Sequence, residues 1–157
     1  MTAMLMRTSL LCLSLLAFVS LPSSAQSARP RPPAVTAMEV YRSPTCGCCG
    51  KWVEHVKAAG FSPAVHQVDD VSPVKTKSGV PGDLQSCHTA LIGGYVIEGH
   101  VPADVIQQLL TEKPNIAGVA VPGMPVGSPG MEQGPRKDPY EVIAFTKDGK
   151  RSVYAKR

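Results

Sequence analysis

Apolar and polar residues divide this chain into short, clearly punctuated segments. Ala37 to Arg42 carries Met38, Val40 and Tyr41 and predicts a short strand, ended by Pro44 and Thr45. Thr45 is the expected N-cap of a helix from Cys48 to Ala59. Trp52, Val53, Val56 and Ala59 share one stripe of that helix, and Gly60 supplies its stop. Ala64 to Val68 predicts a second strand, and Asp69 to Val80 a weak helix or loop with Pro73 in its first turn. His88 to Ile92 and Tyr95 to Glu98 are apolar runs joined by Gly93-Gly94, a hairpin signal because both glycines tolerate positive φ. Pro102 opens a helix to about Lys113 that buries Val105, Ile106, Leu109 and Leu110, with Pro114 after its end. From Asn115 to Pro135 glycine and proline are dense, which predicts a loop without helix or strand. Tyr140 to Thr146 and Arg151 to Ala155 flank Lys147-Asp148-Gly149-Lys150 and predict a closing hairpin. Strands separated by helices imply an α/β arrangement, a central mixed sheet flanked by helices. A cysteine motif between the first strand and its helix is the thioredoxin-like pattern.

The first 25 residues follow a different logic. Arg7 gives a positive start, Leu10 to Val19 an apolar run too short to span a bilayer, and Ser23-Ser24-Ala25 a small-residue cleavage site. Residues 1–25 are therefore expected to be a cleaved signal peptide, with the cut before Gln26 and a periplasmic destination. No twin arginine is present, so export follows the general route, and no cysteine stands at the cut, so no membrane anchor is expected. Residues 26–36 begin rich in Pro, Ser and Arg and are expected to be a flexible tether. Residues 37–157 form the domain. Cleavage leaves 132 of the 157 residues, enough for one hydrophobic core without disulfide staples. The formal net charge is +4, and the basic residues gather at the two ends without a long block. Nothing in this balance calls for nucleic acid or a membrane surface.

Cysteine usage carries the chemistry. Cys12 leaves with the leader, and Cys46, Cys48, Cys49 and Cys87 remain. Three of the four lie within Cys46-Gly47-Cys48-Cys49. Such crowding suits reactive or metal-binding sulfur better than stapling, because disulfides need particular separations and directions. A helix N-terminus stabilises anions, so thiols there ionise more readily, and the thiolate is both nucleophile and metal ligand. Cys46 and Cys49 make the C-x-x-C of a dithiol oxidoreductase, but Cys48 would compete in exchange. Three thiolates on one turn suit a soft cation, and both Cu(I) and Zn²⁺ qualify. Closely packed sulfurs can also bridge several Cu(I) ions. Cys87, just before the central hairpin, is expected to face the motif in a thioredoxin-like fold, at the place where such folds usually carry a cis-proline.

Met124 and Met131 sit in the Gly/Pro loop. A thioether suits Cu(I) and not Zn²⁺, though the same residues could equally fill a surface gap. His88 adjoins Cys87, but strand neighbours point to opposite faces, so it reaches the site only if the strand starts late enough. His100 closes the hairpin as a loop residue and is a candidate metal contact. His55 lies two turns from Cys48, about 10 Å along the axis, too far for the same centre. His66, on the second strand, is assigned a structural role.

Several separated motifs occur together: Cys46-Gly47-Cys48-Cys49-Gly50-Lys51-Trp52, Ser86-Cys87-His88-Thr89-Ala90, Tyr95 to Pro102, Val121-Pro122-Gly123-Met124-Pro125, and Gly127-Ser128-Pro129-Gly130-Met131-Glu132. Over about Met38 to Tyr154 the chain resembles the CopG-like copper-resistance proteins of the bacterial periplasm. The resemblance implies a thioredoxin-like fold, a role in copper resistance, and a cysteine-bridged cluster of several copper ions at the C-x-C-C motif. By position, Cys46, Cys48, Cys49 and Cys87 match the family's sulfurs, and Met124, Met131, His88 and His100 its recurring Met and His positions. The leading expectation is a protein that sequesters or hands on Cu(I), with a copper exporter or periplasmic copper carrier as partner and copper redox activity as an extension. The alternatives are a thiol–disulfide oxidoreductase acting through Cys46 and Cys49, and a zinc-stabilised module, which a chain of this length does not need in order to fold.

Overall fold

The computed structural model describes residues 36–157. The expected leader, and all of the expected tether except Thr36, lie outside these residues.

Seven strands form one mixed sheet. In chain order the elements are β1 (Ala37–Arg42), α1 (Gly47–Ala58), β2 (Ser62–Gln67), α2 (Ser72–Lys77), a 3-10 turn (Gly82–Leu84), β3 (His88–Ile92), β4 (Tyr95–Gly99), α3 (Ala103–Glu112), β5 (Gly118–Val121), β6 (Glu141–Phe145) and β7 (Arg151–Lys156). The sheet order is β2-β1-β3-β4-β5-β6-β7. β1 runs parallel to β2 and antiparallel to β3, and β3 is antiparallel to β4. β4 is parallel to β5, and β5, β6 and β7 continue antiparallel. No described helix is long and apolar enough to cross a membrane.

Alternation along the strands builds two cores. Met38, Val40, Ala90, Ile92, Ile97, Val119 and Val121 point to one face, where Trp52, Val53 and Val56 of α1 and Val105, Ile106 and Leu109 of α3 cover them. Val96, Ala120 and Phe145 point to the other face and pack with Val80 and Leu84. Each fully buried Val, Leu or Ile stabilises the fold by ~1.5–3 kcal/mol, so the α3 stripe alone holds that helix against the sheet.

Two sequence expectations need correction. The Gly/Pro segment contains a strand after all: Gly118–Val121 is β5, fully buried between β4 and β6. A Cβ at Gly118 would lie 2.2 Å from the Val96 carbonyl oxygen, so glycine is there to let two backbones meet rather than to turn the chain. The N-cap of α1 is Cys46 rather than Thr45, and no side chain caps it. The Thr45 hydroxyl is instead hydrogen-bonded to that of Ser43.

Candidate metal centre

The strand pattern that builds the core also delivers the site. Met38, Val40 and Arg42 share one face of β1, and Arg42 sits opposite His88 in the β1–β3 register. His88 shares its face with Ala90 and Ile92, beneath α1. It is fully buried, and its ring lies 4.4 Å from that of Trp52. The Trp52 indole N–H donates to the Val101 carbonyl (2.9 Å), tying α1 to the segment that carries His100. Cys46 leads into α1 with its amide on the Ser43 carbonyl (3.3 Å), and its own carbonyl accepts from Gly50 N–H (3.3 Å) and from Arg42 Nη1 (2.8 Å). The guanidinium ties the start of the helix to the end of β1 but, as a donor, leaves the first-turn N–H groups uncapped.

The sulfurs converge as expected, with one departure. Cys46 and Cys49 are joined by a disulfide, and Cys48 and Cys87 are free thiols. The crowding of the motif therefore leaves room for a disulfide across the C-x-x-C, where one helical turn brings the two Cα atoms to 5.4 Å. Cys48 Sγ lies 3.4 Å from Cys46 Sγ. The sulfurs of Cys46, Cys48, Cys49 and Cys87 all fall within 4.8 Å of one another.

A second donor group overlaps the first. Cys87 Sγ is 3.0 Å from His100 Nε2 and 3.3 Å from His88 Nδ1. Cys87 precedes β3, so strand alternation does not separate it from His88, and both reach one centre. His100 Nδ1 donates to the Pro129 carbonyl (2.8 Å), which leaves the Nε2 lone pair facing the Cys87 sulfur. Burial, and then the neighbouring Cys48, push the Cys87 thiol up to about 12. Burial likewise lowers His88 and His100, so both rings are held neutral, the form that ligates metal.

Sequence reasoning missed the supports. On the far face of the hairpin, Glu98 is fully buried, accepting from Lys75 Nζ, Thr89 Oγ1 (2.7 Å) and the Ser86 amide (2.6 Å). This network fixes the backbone just before Cys87. The readable signal was parity: Glu98 interrupts an apolar run, and Arg42 occupies the core-facing position of β1. Gly130 closes the other side, because a Cβ there would lie 2.7 Å from the Cys48 carbonyl and 2.9 Å from the Trp52 amide. Met131 follows it, partly buried, whereas Met124 is 40% exposed with φ of 47°. Among the described residues, the buried side-chain polar atoms without a hydrogen-bond partner are Arg42 Nε, Ser86 Oγ and His88 Nε2. All three border this cluster. Buried polar groups are seldom left unpaired, so this cluster is where the described residues carry their polar strain.

His55 and His66 take no part. His55 Nε2 accepts from the Ala103 amide (3.1 Å) at the start of α3, and His66 pairs with Glu39 and stacks on Tyr41.

The segment 84–131 matches a family model described as "Protein of unknown function, DUF411". That segment holds Cys87, both central histidines and both loop methionines. No curated protein matches the chain. Two solved structures do, entitled "Copper resistance protein copG- Form 1" and "Copper resistance protein copG- Form 2". The first is 47% identical over 81% of this chain and 98% of its own, with a TM-score of 0.74. The second is 47% identical over 81% of this chain and 99% of its own, with a TM-score of 0.75. With nearly the whole of those relatives covered at this identity, the chain belongs to the CopG copper-resistance family, the same family that DUF411 describes.

Proposed function

We propose that this protein binds Cu(I) in the periplasm and serves copper resistance by sequestering the ion or passing it on. The observation that carries this reading is the sharing of Cys87 between a four-sulfur group and a Cys-His-His group. A thiolate common to two donor sets can bridge two soft cations, which supports a multinuclear, cysteine-bridged arrangement. Copper is the cargo. In the reduced protein Cys46, Cys48, Cys49 and Cys87 supply thiolates, His88 and His100 supply neutral imidazole, and Pro129 and Trp52 hold the rings in place. Met131 and Met124, in the loop that carries Pro129 and Gly130, are the candidate thioether ligands. The exposure of Met124 suits a residue that meets an incoming or outgoing ion rather than one that fills the core.

The framework supports the comparison with thioredoxin-like folds. Elements β1 to α3 follow the order β-α-β-α-β-β-α, and their strands lie in the order β2-β1-β3-β4. In this reading Cys87 takes the position ahead of the third strand where a cis-proline usually stands, and no cis peptide occurs among the described residues. A sulfur ligand in place of that proline favours metal over a protein substrate. The leader, with cleavage before Gln26, provides for export, and a copper exporter or carrier of the same compartment is the expected recipient.

One observation favours a second reading, thiol–disulfide exchange: the Cys46–Cys49 disulfide itself. The two readings part at Cys48, which exchange through a C-x-x-C does not need. Copper binding predicts that Cys48→Ser lowers the Cu(I) capacity per chain, thiolate being the ligand Cu(I) selects. Exchange predicts that the same variant reduces insulin disulfides undiminished and that Cys46→Ser abolishes the reaction. Full copper capacity in Cys48→Ser would sink the copper reading.

A further inference from the structure

Helix α2 is seated on the sheet by a cation. Its one buried side chain is Lys75, 5% exposed, between exposed Ser72, Pro73, Thr76 and Lys77. A helix docked by the hydrophobic effect presents an apolar stripe there instead. Lys75 Nζ donates to Glu98 and to Thr89 Oγ1 (3.0 Å). Thr89 and Glu98 are direct cross-strand partners in β3 and β4, on the sheet face away from α1 and α3.

Burying an ion pair is a poor way to gain stability, because desolvation of both charges offsets their attraction. An apolar pair of similar size holds a helix at least as well. What the charges supply, and an apolar pair does not, is an acceptor fixed in direction. Glu98 uses both of its oxygens this way. Oε2 accepts from Thr89 (2.7 Å) and Oε1 from the Ser86 amide (2.6 Å). Among the described residues, that amide makes the one main-chain hydrogen bond of the segment 85–87. The segment leaves the 3-10 turn at Leu84 and enters β3 at His88, so its backbone hangs on a single carboxylate. Ser86 is also packed closely from the other side, since a Cβ at Gly99 would lie 2.6 Å from the Ser86 Cβ.

We infer that Glu98 is a positioning residue for the proposed copper site: its carboxylate, oriented by Lys75 and Thr89, clamps the segment 85–87 and sets where the Cys87 sulfur stands. The effect on Cu(I) rests on the proposed function, whereas the clamp does not. Glu98 makes no hydrogen bond to a sulfur or imidazole and acts through the backbone, from the Ser86 amide to the residue that follows it. Lys75 serves to neutralise the carboxylate in the interior. The two charges are therefore removable together while the acceptor stays.

Two double variants separate the acceptor from the charges. Lys75→Met/Glu98→Gln keeps an oxygen for the Ser86 amide, and the new NH₂ replaces Lys75 as donor to Thr89. Lys75→Met/Glu98→Leu has no acceptor. Neither leaves a buried unpaired charge, as the single substitutions would. In the oxidised wild type, residues 26–157, the Ser86 amide should exchange with deuterium as slowly as the paired amides of β3. The glutamine pair should keep that protection and the wild-type hold on Cu(I) when reduced. The leucine pair should melt like the glutamine pair. It should exchange at Ser86 and alkylate at Cys87 about tenfold faster, and hold Cu(I) about tenfold more weakly against a chelator, as expected for one lost hydrogen bond. Fast exchange at Ser86 in the wild type overturns the inference without any variant, so a leucine pair that fails to fold does not leave it open. A leucine pair that keeps its protection overturns it, as does one that loses protection yet binds Cu(I) undiminished beside a wild type that binds it. A glutamine pair that loses as much as the leucine pair does the same. A wild type that holds no Cu(I), with Ser86 protected and released only in the leucine pair, removes the copper reading and leaves the clamp standing. Cu(I) retention with an unprotected Ser86 amide does the reverse.

Discussion

His55 shows how a single side chain can be read two ways. In the sequence it is a histidine two turns along the cysteine-bearing helix. In the structure its Nε2 accepts the Ala103 amide, one of the donors at the start of α3 that no side chain of α3 itself satisfies. Accepting requires the neutral ring, and burial lowers its proton affinity below that of a free histidine, against the weaker pull of Glu132 and Asp104. The unfolded chain then binds more protons than the folded one below the ordinary histidine value. This part of the stability is complete above about pH 6.5 and is lost as pH falls from there through the lower folded value. Thermal melts of wild type and His55→Ala from pH 7.5 to 5 should converge on acidification. At neutral pH the variant should be less stable by about 1 kcal/mol, the worth of one hydrogen bond. A constant gap across that range would show that the ring acts by packing alone. The metal-site histidines are lowered too, so the difference between the two proteins, not the wild-type curve, is the quantity to read.

At the scale of elements, the loop after β5 is part of the site rather than a connection. Its Pro129 carbonyl orients His100, and Gly130 lies directly on the first turn of α1 with φ of 87°. Gly130→Ala must displace the Cys48 carbonyl or the Trp52 amide, both backbone, and must adopt a conformation disfavoured for any residue with a Cβ. The expected cost is about 1–3 kcal/mol in a denaturant titration, with a weakened hold on copper if the copper reading holds, because the loop is in contact with the cysteine turn. Unchanged stability would mean that the contact is loose in solution. This region also marks where the sequence could be read and where it could not. The β3–β4 hairpin was legible to the residue at its start, His88, because Gly93-Gly94 punctuates two apolar runs. α1 and α3 were legible from their stripes. β5 was not, because it is four residues of a buried strand opened by a glycine and set among turn-forming residues. Its strand character comes from pairing with β4 and β6, which no local pattern reports. The same limit hid Glu98, Lys75 and Arg42. Their identities are plain in the sequence, but their burial follows from which strand faces which helix. The four cysteines were legible as a cluster from spacing and fold type. That Cys87 lies just before the hairpin was legible too; that it meets His88 and His100 at one point follows from the turn after β4 and the Pro129 contact, which no local pattern reports.

At the scale of the whole molecule, the architecture separates scaffold from chemistry. Two helices and the sheet form an apolar core, while the donors collect where α1 begins, β3 begins and β4 ends. Metal removal should therefore leave a folded protein, unlike a zinc-stabilised module, which unfolds on chelation. Export is testable separately. Protein expressed from the full chain should be recovered in a periplasmic extract with the intact mass of a chain beginning at Gln26, and a mass retaining residues 1–25 would contradict the expected cleavage. Copper handling is the central claim, and it is tested most directly by an anaerobic titration of the fully reduced protein, residues 26–157, with Cu(I) against a coloured Cu(I) chelator, with metal per chain fixed by elemental analysis. Retention of two or more copper ions per chain in competition with the chelator is the predicted result, since Cys87 belongs to two donor groups. Complete surrender of copper to the chelator would contradict it and leave disulfide exchange through Cys46 and Cys49 as the better account of the motif.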